Sequence, residues 1–366
     1  MRLLKLLGRA STVTIASAVA GLLLLPASWQ VATGEPAPQT KAKAKPHAGL
    51  ASKKKRAKKA GPPPTPAREL FGAAKTPASM AARSIGFYAK GCLAGATALP
   101  VDGPAWQAMR LSRNRNWAHP DMVALVEKLA TDAQKLDGWP GLLVGDLSQP
   151  RGGPMLTGHA SHQVGLDADI WLTPMPDHRL SDKERENLSA TSMLAADGVS
   201  VDPKVWNDAR VRLLKRAASY PRVERVLVHP AIKKALCEAT EHDKDRAWLH
   251  KLRPYWGHYY HFHVRITCPA GSTHCEHQPP PPDDIGCGAE LTRWLALVKP
   301  KPAPTEPTPP AKRKRPKVKP PLTMAQLPAE CRAVLASGTS ALPVAKTPPR
   351  KGTRNARGTQ KAITTK

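Results

Sequence analysis

The sequence predicts an α+β domain in which a small, mostly antiparallel central sheet is flanked by helices. Two segments, 119–136 and 202–218, repeat apolar residues with the period of an amphipathic helix. Four short stretches have the composition and alternation of strands: 141–147, 165–172, 225–228 and 259–266. Helices and strands do not alternate at the regular spacing of βαβ units, which favours α+β over a parallel α/β fold.

The two helices are predicted from their apolar faces and their starts. Pro120 suits the first turn of the first helix, and the dipeptide Asp202-Pro203 marks the start of the second. The first face comprises Met122, Leu125, Val126, Leu129, Ala133 and Leu136, and the second comprises Trp206, Ala209, Leu213 and Ala217.

The basic charge of the chain is concentrated in its flanks. The 366 residues carry a net charge of +28, yet residues 61–298 contribute only +3 of it. Residues 41–60 hold nine Lys or Arg and no acid, and residues 299–366 have a net charge of +14. The Pro/Lys/Ala-rich stretches 35–67 and 299–325 have almost no large apolar side chains to bury, so we expect these basic tails to be disordered.

The N-terminus predicts export. Arg2, Lys5 and Arg9 precede an apolar run of about 16 residues that ends in small residues, which is the order of a secretory signal. The run is shorter than the ~20 residues that span a bilayer, so an uncleaved anchor is the less favoured alternative. We therefore expect a periplasmic protein with no transmembrane domain after removal of the signal.

The six cysteines support an oxidising compartment, since an even number without a CxxC pair favours disulfides. Fifteen pairings are possible. We expect Cys268–Cys275 across a Gly-containing turn, and Cys92–Cys331 because Cys331 lies in an apolar island of the tail; Cys237–Cys287 is then the third pair. The predicted organisation is a signal peptide at 1–34, a basic linker at 35–69, a folded domain at 70–297, and a basic tail at 298–366 with a docked segment around 327–336.

The last predicted strand carries imidazoles on one face. Alternate residues of a strand share a face, so Tyr259, His261, His263 and Arg265 lie opposite the apolar set Tyr260, Phe262, Val264 and Ile266. His258 immediately precedes the strand and reaches the same side.

A second polar cluster lies upstream, in the motif "GHASHQVGLDADIW". Asp167 and Asp169 share one strand face, Gly165 permits the turn into the strand, and His159 and His162 precede it. An acidic strand face with an apolar back is costly unless a positive group meets it. A single HxH motif can arise by chance, but two imidazoles beside a carboxylate, each on an amphipathic strand, predict a divalent metal site, and zinc suits that donor set.

The sequence resembles the penicillin-insensitive murein endopeptidases. The resemblance rests on "SHQVGLDADIW", "HFHVR", "GCLAGATALPVDGP", "VHPAIKKALC", "WLHKLRPYWGH" and "GCGAEL", and covers most of 83–297 but not the charged tails. It implies a fold like those of the D-Ala-D-Ala metallopeptidases and the hedgehog N-terminal domain. It also implies one catalytic Zn²⁺, with a second possible, and hydrolysis of the D-alanyl–meso-diaminopimelyl bond of peptidoglycan.

By the same resemblance, the zinc ligands correspond to His162, Asp169 and His263. His261 takes the general-base position, where relatives often carry Glu, while His159 and His258 line the site. Two roles stay open. Either His258 or Arg151 could stabilise the oxyanion, and Asp167 could orient a ligand imidazole or merely make a hydrogen bond at the strand end.

Other functional classes are less favoured. A nucleic-acid partner is disfavoured because the positive charge lies in flanks without interleaved aromatic residues, behind an export signal. A catalytically inactive wall-binding module is at odds with the intact donor set, whereas a zinc carboxypeptidase or dipeptidase on the same fold stays open. Ser52–Lys55 matches SxxK but has no SDN or KTG partner. The basic tails predict contact with an anionic envelope surface; the alternative is that they are solvated spacers.

Overall fold

The computed structural model describes residues 64–300 and 320–338. Its α-helices are α1 (Ala67–Ala73), α2 (Pro120–Leu136), α3 (Asp182–Asn187), α4 (Asp208–Ser219), α5 (Pro230–Ala239), α6 (Ala289–Val298) and α7 (Glu330–Ala336). The strands are β1 (Arg83–Phe87), β2 (Lys90–Ala94), β3 (Thr97–Ala98), β4 (Trp106–Ala108), β5 (Trp117–Ala118), β6 (Leu142–Val144), β7 (Asp167–Pro174), β8 (Val223–Val228), β9 (Leu252–Pro254) and β10 (His261–Ile266). Short 3₁₀ turns cover Leu111–Arg113, Ala247–Lys251 and Met324–Gln326.

The central sheet has six strands in the order β4-β6-β7-β10-β8-β9. The three inner pairs are antiparallel, and the two edge strands, β4 and β9, pair in parallel with β6 and β8. Two further two-stranded ribbons, β1-β2 and β3-β5, complete the strands of the described residues. The predicted α+β class with a mostly antiparallel sheet is confirmed.

The main core fills one face of this sheet. Helix α2 contributes Met122, Val126 and Leu129, and helices α4 and α5 add Leu213, Ala217, Ile232 and Leu236. From the sheet come Ala168, Ile170, Val226, Phe262, Val264 and Ile266. Strands β7 and β10 thus turn their even-numbered residues to the core, as their two-residue periodicity predicts, and leave the odd-numbered residues for the opposite face.

Two details of the predicted elements are wrong. Helix α4 begins at Asp208 rather than at 202, because the Asp202 side chain accepts a hydrogen bond from the Lys204 amide (2.9 Å) and closes a separate turn first. Tyr260 was placed on the apolar face of the last strand, but β10 begins only at His261. The half-buried Tyr260 ring lines a surface cleft instead of the core.

A second, smaller core joins the two ends of the described chain. Helix α1, the β1-β2 ribbon and helix α7 bury Phe71, Ile85, Cys92, Cys331 and Val334 against one another. A disulfide links Cys92 to Cys331 across 239 residues of sequence. The docked segment around 327–336 is therefore present, and helix α1 begins three residues before the predicted domain start at 70.

The other two disulfides are Cys237–Cys287 and Cys268–Cys275, so all three pairs match those expected from the sequence. The predicted signal peptide, most of the linker and most of the basic tail lie outside the described residues. Among the helices that the structure describes, none combines the length and apolarity needed to cross a membrane.

Candidate metal centre

The register of two neighbouring strands brings the predicted ligands together. Strands β7 and β10 are antiparallel, with Asp169 opposite His263, Asp167 opposite Arg265 and Trp171 opposite His261. Residues directly opposite each other in such a pair have Cβ atoms about 5 Å apart on the same face. The DxD and HxH motifs therefore present their side chains to one another on the face that is turned away from the main core.

His162 reaches the same place from the loop before β7. Its backbone has φ of +65°, a left-handed conformation that costs free energy in a residue with a Cβ. The Asp167 carboxylate stabilises this conformation by accepting the His162 backbone N–H at 2.9 Å. The ring Nδ1–H donates to the Leu147 carbonyl, which can only accept, so Nε2 keeps its lone pair.

Gly165 allows the loop to enter β7. Its φ is +71°, and a Cβ on this residue would lie 2.5 Å from a Leu93 methyl carbon and 2.9 Å from the His119 backbone nitrogen. Only glycine fits both the conformation and the space, so this position helps to fix where His162 lies.

Asp167 orients the second imidazole. Its Oδ1 accepts hydrogen bonds from His263 Nε2 at 2.7 Å and from Arg265 Nε at 2.6 Å. Burial alone would raise the pKa of Asp167, but Arg265 and His263 hold it well below its usual range. The ionised carboxylate keeps the proton on His263 Nε2, which leaves the Nδ1 lone pair directed at Asp169. Asp167 thus makes both of the contacts anticipated for it: it orients an imidazole and it bonds to backbone.

Three donor atoms then form a nearly equilateral triangle. His162 Nε2 lies 3.2 Å from His263 Nδ1 and 3.4 Å from Asp169 Oδ1, and His263 Nδ1 lies 3.2 Å from Asp169 Oδ1. A tetrahedral zinc ion with bonds of 2.0–2.1 Å requires donor atoms about 3.3–3.4 Å apart. Among the described residues, Asp169 Oδ1 is buried without a hydrogen-bond partner. A buried, unpaired anionic oxygen facing two imidazole lone pairs fits a divalent cation.

A second triad shares two of these ligands. His159, His162 and Asp169 also lie close enough to hold one metal ion. His159 Nε2, however, is 3.5 Å from the other oxygen of Asp169 and closer, at 3.0 Å, to Asp146 Oδ2. We favour His263 as the third ligand because its Nδ1 contacts both of the other donor atoms, while His159 is shared with a second carboxylate.

Asp146 belongs to the site and was missed in the sequence. It follows β6 and contacts His159, Arg115 (2.8 Å) and Arg113 (3.1 Å). Burial would raise the pKa of Asp146, but its hydrogen bond with His159 and the charges of Arg115 and Arg113 lower it to about 2. Two guanidinium groups already balance this carboxylate, which argues against a second metal ion at this corner. The sequence feature that could have pointed to Asp146 is its position directly after the buried run "LLVG", because an acid there is costly unless it has a partner.

His261 and His258 flank the triangle. His261 is buried, and its Nε2 lies 3.7 Å from Asp169 Oδ1; burial lowers its pKa, so the neutral ring can accept a proton. His258 Nδ1 donates to the Trp256 carbonyl at 2.9 Å, and burial lowers the His258 pKa to about 3. Its Nε2 is then an acceptor, which does not suit the oxyanion-stabilising role considered for it.

Arg151, the other candidate for the oxyanion, does not reach the site. Its guanidinium donates to the carbonyls of Thr76 (3.0 Å), Val334 (3.0 Å) and Leu335. The last two lie at the carboxyl end of α7, where a cation is favourable. That alternative is wrong, because Arg151 is used to dock α7 on the second core.

A cleft of about 280 Å³ opens beside the triangle. Its walls combine the carboxylates of Asp146 and Asp169 and the imidazoles of His159 and His261 with Arg110, Arg113, Trp171, Tyr259 and Tyr260. The Arg113 side chain is 47% exposed there, whereas Arg110 lies over the Trp171 ring at 5.4 Å. The cleft thus offers cationic and aromatic walls next to the candidate metal centre.

Most of this chain matches a known protein family. The family model described as penicillin-insensitive murein endopeptidase matches residues 84–336. The chain belongs to this family. The match contains every residue of the candidate metal centre, and it extends beyond the predicted boundary at 297 to include α7, so part of the predicted tail belongs to the family region.

Individual family members match over most of their length. Penicillin-insensitive murein endopeptidase of Haemophilus influenzae is 46% identical over 235 residues, covering 62% of this chain and 80% of that protein. The protein of the same name from Klebsiella pneumoniae subsp. pneumoniae is 42% identical over 259 residues, covering 71% of this chain and 88% of the relative. The Salmonella heidelberg protein is 44% identical over 237 residues, 64% of this chain and 84% of its own length.

Proposed function

We propose that the protein is a zinc-dependent murein D,D-endopeptidase that hydrolyses the D-alanyl–meso-diaminopimelyl amide bond of peptidoglycan cross-links. The observation that carries the proposal is the buried, unpaired Asp169 Oδ1 that lies 3.2–3.4 Å from one nitrogen each of His162 and His263. Family membership supports the wall peptide as substrate.

In this proposal, His162, Asp169 and His263 hold the ion. A zinc ion there would polarise the scissile carbonyl and lower the pKa of the attacking water. Asp167 keeps His263 in the tautomer whose Nδ1 is free, and the Leu147 carbonyl does the same for His162 Nε2.

His261 is the proposed general base. It is neutral by burial, lies on the cleft wall, and has a buried Nδ1 without a hydrogen-bond partner among the described residues. It would take a proton from the attacking water and return it to the departing amine of the diaminopimelyl residue. His159, held by Asp146, lines the same wall.

The cationic wall suits the proposed leaving residue. In the D-alanyl–diaminopimelyl bond, the carbon that bears the scissile nitrogen also bears a carboxylate. Arg113 presents a half-exposed guanidinium to the cleft and is anchored by Asp146, so it can bind that carboxylate while its partner keeps it in place. An Arg113→Gln variant is expected to raise KM more than it lowers kcat.

Mass spectrometry of cross-linked muropeptide dimers incubated with the protein tests the proposal. Conversion of dimer to monomer identifies an endopeptidase, whereas loss of only a terminal D-alanine identifies a carboxypeptidase. Hydrolysis should persist with penicillin, because this mechanism has no serine for a β-lactam to acylate, and should stop with a chelator. Inhibition by penicillin, or full activity with the chelator, would contradict the zinc mechanism.

We also propose that the protein is exported to the periplasm and that its basic flanks hold it at anionic envelope surfaces. Residues 41–60 contain nine basic residues and 299–366 carry a net charge of +14, which would raise the local concentration of enzyme near acidic polymers. A chain trimmed to 64–338 should cleave soluble muropeptides like the full chain but pellet less with intact sacculi at low salt. At 1 M salt the Debye length falls to ~3 Å, so screening should remove the contribution of the basic flanks to pelleting. Equal pelleting of the two chains at low salt would favour the solvated-spacer alternative.

A further inference from the structure

Three aromatic rings cluster at the surface near the cleft: Tyr255 and Trp256 are exposed, and Trp294 is half-buried. Tyr255 stacks on Trp256 with ring centroids 5.9 Å apart. The Tyr255 ring also contacts the Trp294 ring, with centroids 5.6 Å apart. Trp256 is 64% exposed and Tyr255 is 41% exposed. We refer to Tyr255, Trp256 and Trp294 as the aromatic platform. None of the three is used by the proposed reaction, and exposed clusters of large apolar side chains mark binding surfaces.

The backbone that carries the platform is fixed at both ends. The loop 255–260 joins β9 to β10; the Tyr255 amide donates to the Val228 carbonyl and the His229 amide donates to the His258 carbonyl, each at 2.8 Å. Both bonds tie the loop to the end of β8. The rings are thus held on an anchored loop, which lowers the entropic cost of binding a ligand.

The third ring is fixed by a different part of the chain. Trp294 lies on α6, which starts just after the Cys237–Cys287 disulfide and is joined to β9 by the ion pair of Arg253 and Glu290. Two independently anchored segments therefore bring their aromatic residues together at the surface.

The platform is continuous with the candidate catalytic site. The Tyr255 ring contacts His258 edge-on at 5.6 Å, and the His258 ring lies 4.9 Å from His261. One imidazole therefore separates the platform from the proposed general base. A molecule whose peptide occupies the cleft would have its attached groups within reach of these rings.

We propose that the aromatic platform binds the N-acetylated hexosamine chain of peptidoglycan. This inference rests on the proposed function, because the glycan is the part of that substrate that is covalently joined to the peptide in the cleft. Pyranose rings present an apolar C–H face surrounded by hydroxyl and amide groups. Tyr and Trp match this chemistry, since each combines a flat apolar face with a polar edge that can hydrogen-bond.

Isothermal titration of the full chain with an N-acetylglucosamine hexamer tests the inference directly. The probe is uncharged, so the basic flanks gain no ion pairs with it. Trp256→Ala should weaken binding about tenfold, on the scale of one lost stacking contact. Trp256→Phe should stay within about threefold of the parent. The matched control is Leu136→Ala, which removes an equally exposed apolar side chain from α2 and should bind like the parent.

A second arm uses hydrolysis. The parent chain should have a lower KM for dimers that carry disaccharides than for the same dimers stripped to peptide, and in Trp256→Ala this difference should close.

Hexamer binding that is absent, or equal in the parent and in Trp256→Ala, would overturn the inference. So would a Trp256-dependent association with neutral phosphatidylcholine vesicles, or a Trp256-dependent dimer of the chain, if hexamer binding were absent. Failure of the proposed function is recognised separately, because the parent chain would then leave cross-linked dimers intact whatever it does to the hexamer.

Discussion

The candidate metal centre and the second core are assembled in different ways. The metal centre depends on the register between two adjacent antiparallel strands, so Asp169 and His263 meet because their strands pair. The second core joins segments at opposite ends of the domain through apolar contacts and the Cys92–Cys331 disulfide. The proposed chemistry is concentrated in the metal centre, whereas the second core contributes to the stability of the fold.

This difference predicts two kinds of variant. The apolar backs of β7 and β10 stabilise the sheet, so an isosteric change at one of the three donor residues of the triangle should remove chemistry and leave the fold. A change in the second core should lower stability and leave the chemistry of the folded molecules intact. The variants below, in order of decreasing expected effect, separate these two outcomes.

Asp169→Asn should give the largest effect. It removes the anionic donor while keeping the shape of the side chain, so zinc content should fall from one per chain to near zero and hydrolysis should fall below detection. Elemental analysis and dimer hydrolysis measure the two losses, with Asp177→Asn, a change at a fully exposed carboxylate, as the control. Full activity in Asp169→Asn would exclude this residue from the ligand set.

His261→Ala should keep zinc and lower kcat by about 10²–10⁴, the usual cost of removing a general base. The measurement is kcat together with zinc content, and His178→Ala, at an exposed imidazole, is the control. A parallel loss of zinc and rate would make His261 a ligand instead of the base.

Removal of the long disulfide by Cys92→Ser with Cys331→Ser should cost about 2–5 kcal/mol of unfolding free energy. Removal of Cys268–Cys275, which closes a loop of only 7 residues instead of 239, should cost about 3 kcal/mol less by chain entropy. Urea unfolding measures both, and kcat per folded molecule should stay unchanged. Equal destabilisation of the two double variants would contradict the dependence on loop length. A loss of kcat without unfolding would contradict the view that the second core contributes stability and not chemistry.

Asp167→Asn should lower zinc affinity by about 10–100-fold, because His263 loses the carboxylate that fixes its tautomer. The change also leaves Arg265 without its anionic partner, so stability should fall as well. Competition with a chromogenic chelator measures the affinity and thermal unfolding measures the stability. If the variant were destabilised but bound zinc as tightly as the parent, Asp167 would not orient His263 for the metal, and its role would be limited to the strand-end hydrogen bond.

The sequence predicted those parts of the molecule that depend on local periodicity. The two-residue repeat around His261 and His263 placed the imidazoles on one face, and the same repeat placed Asp167 and Asp169. The expected cysteine pairs, including the one that docks α7, are those that the structure contains.

What the sequence could not give depends on contacts between distant segments. Asp146 belongs to the site only because β6 pairs with β7. Arg151 lies outside the site because its guanidinium binds carbonyl groups of the nearby helix α7. The late start of α4 follows from the side-chain hydrogen bond of Asp202, which competes locally with the helix. Neither strand pairing nor such competition is encoded in the spacing of apolar residues.

The position of the metal ion tests the central claim most directly. Crystals of the zinc-loaded protein, measured on both sides of the zinc absorption edge, should give an anomalous peak bonded to His162 Nε2, Asp169 Oδ1 and His263 Nδ1 at about 2.0–2.1 Å. A peak coordinated by His159, His162 and Asp169 with His263 outside bonding distance would contradict the ligand set. No peak at this site in a fully active preparation would contradict the zinc mechanism itself.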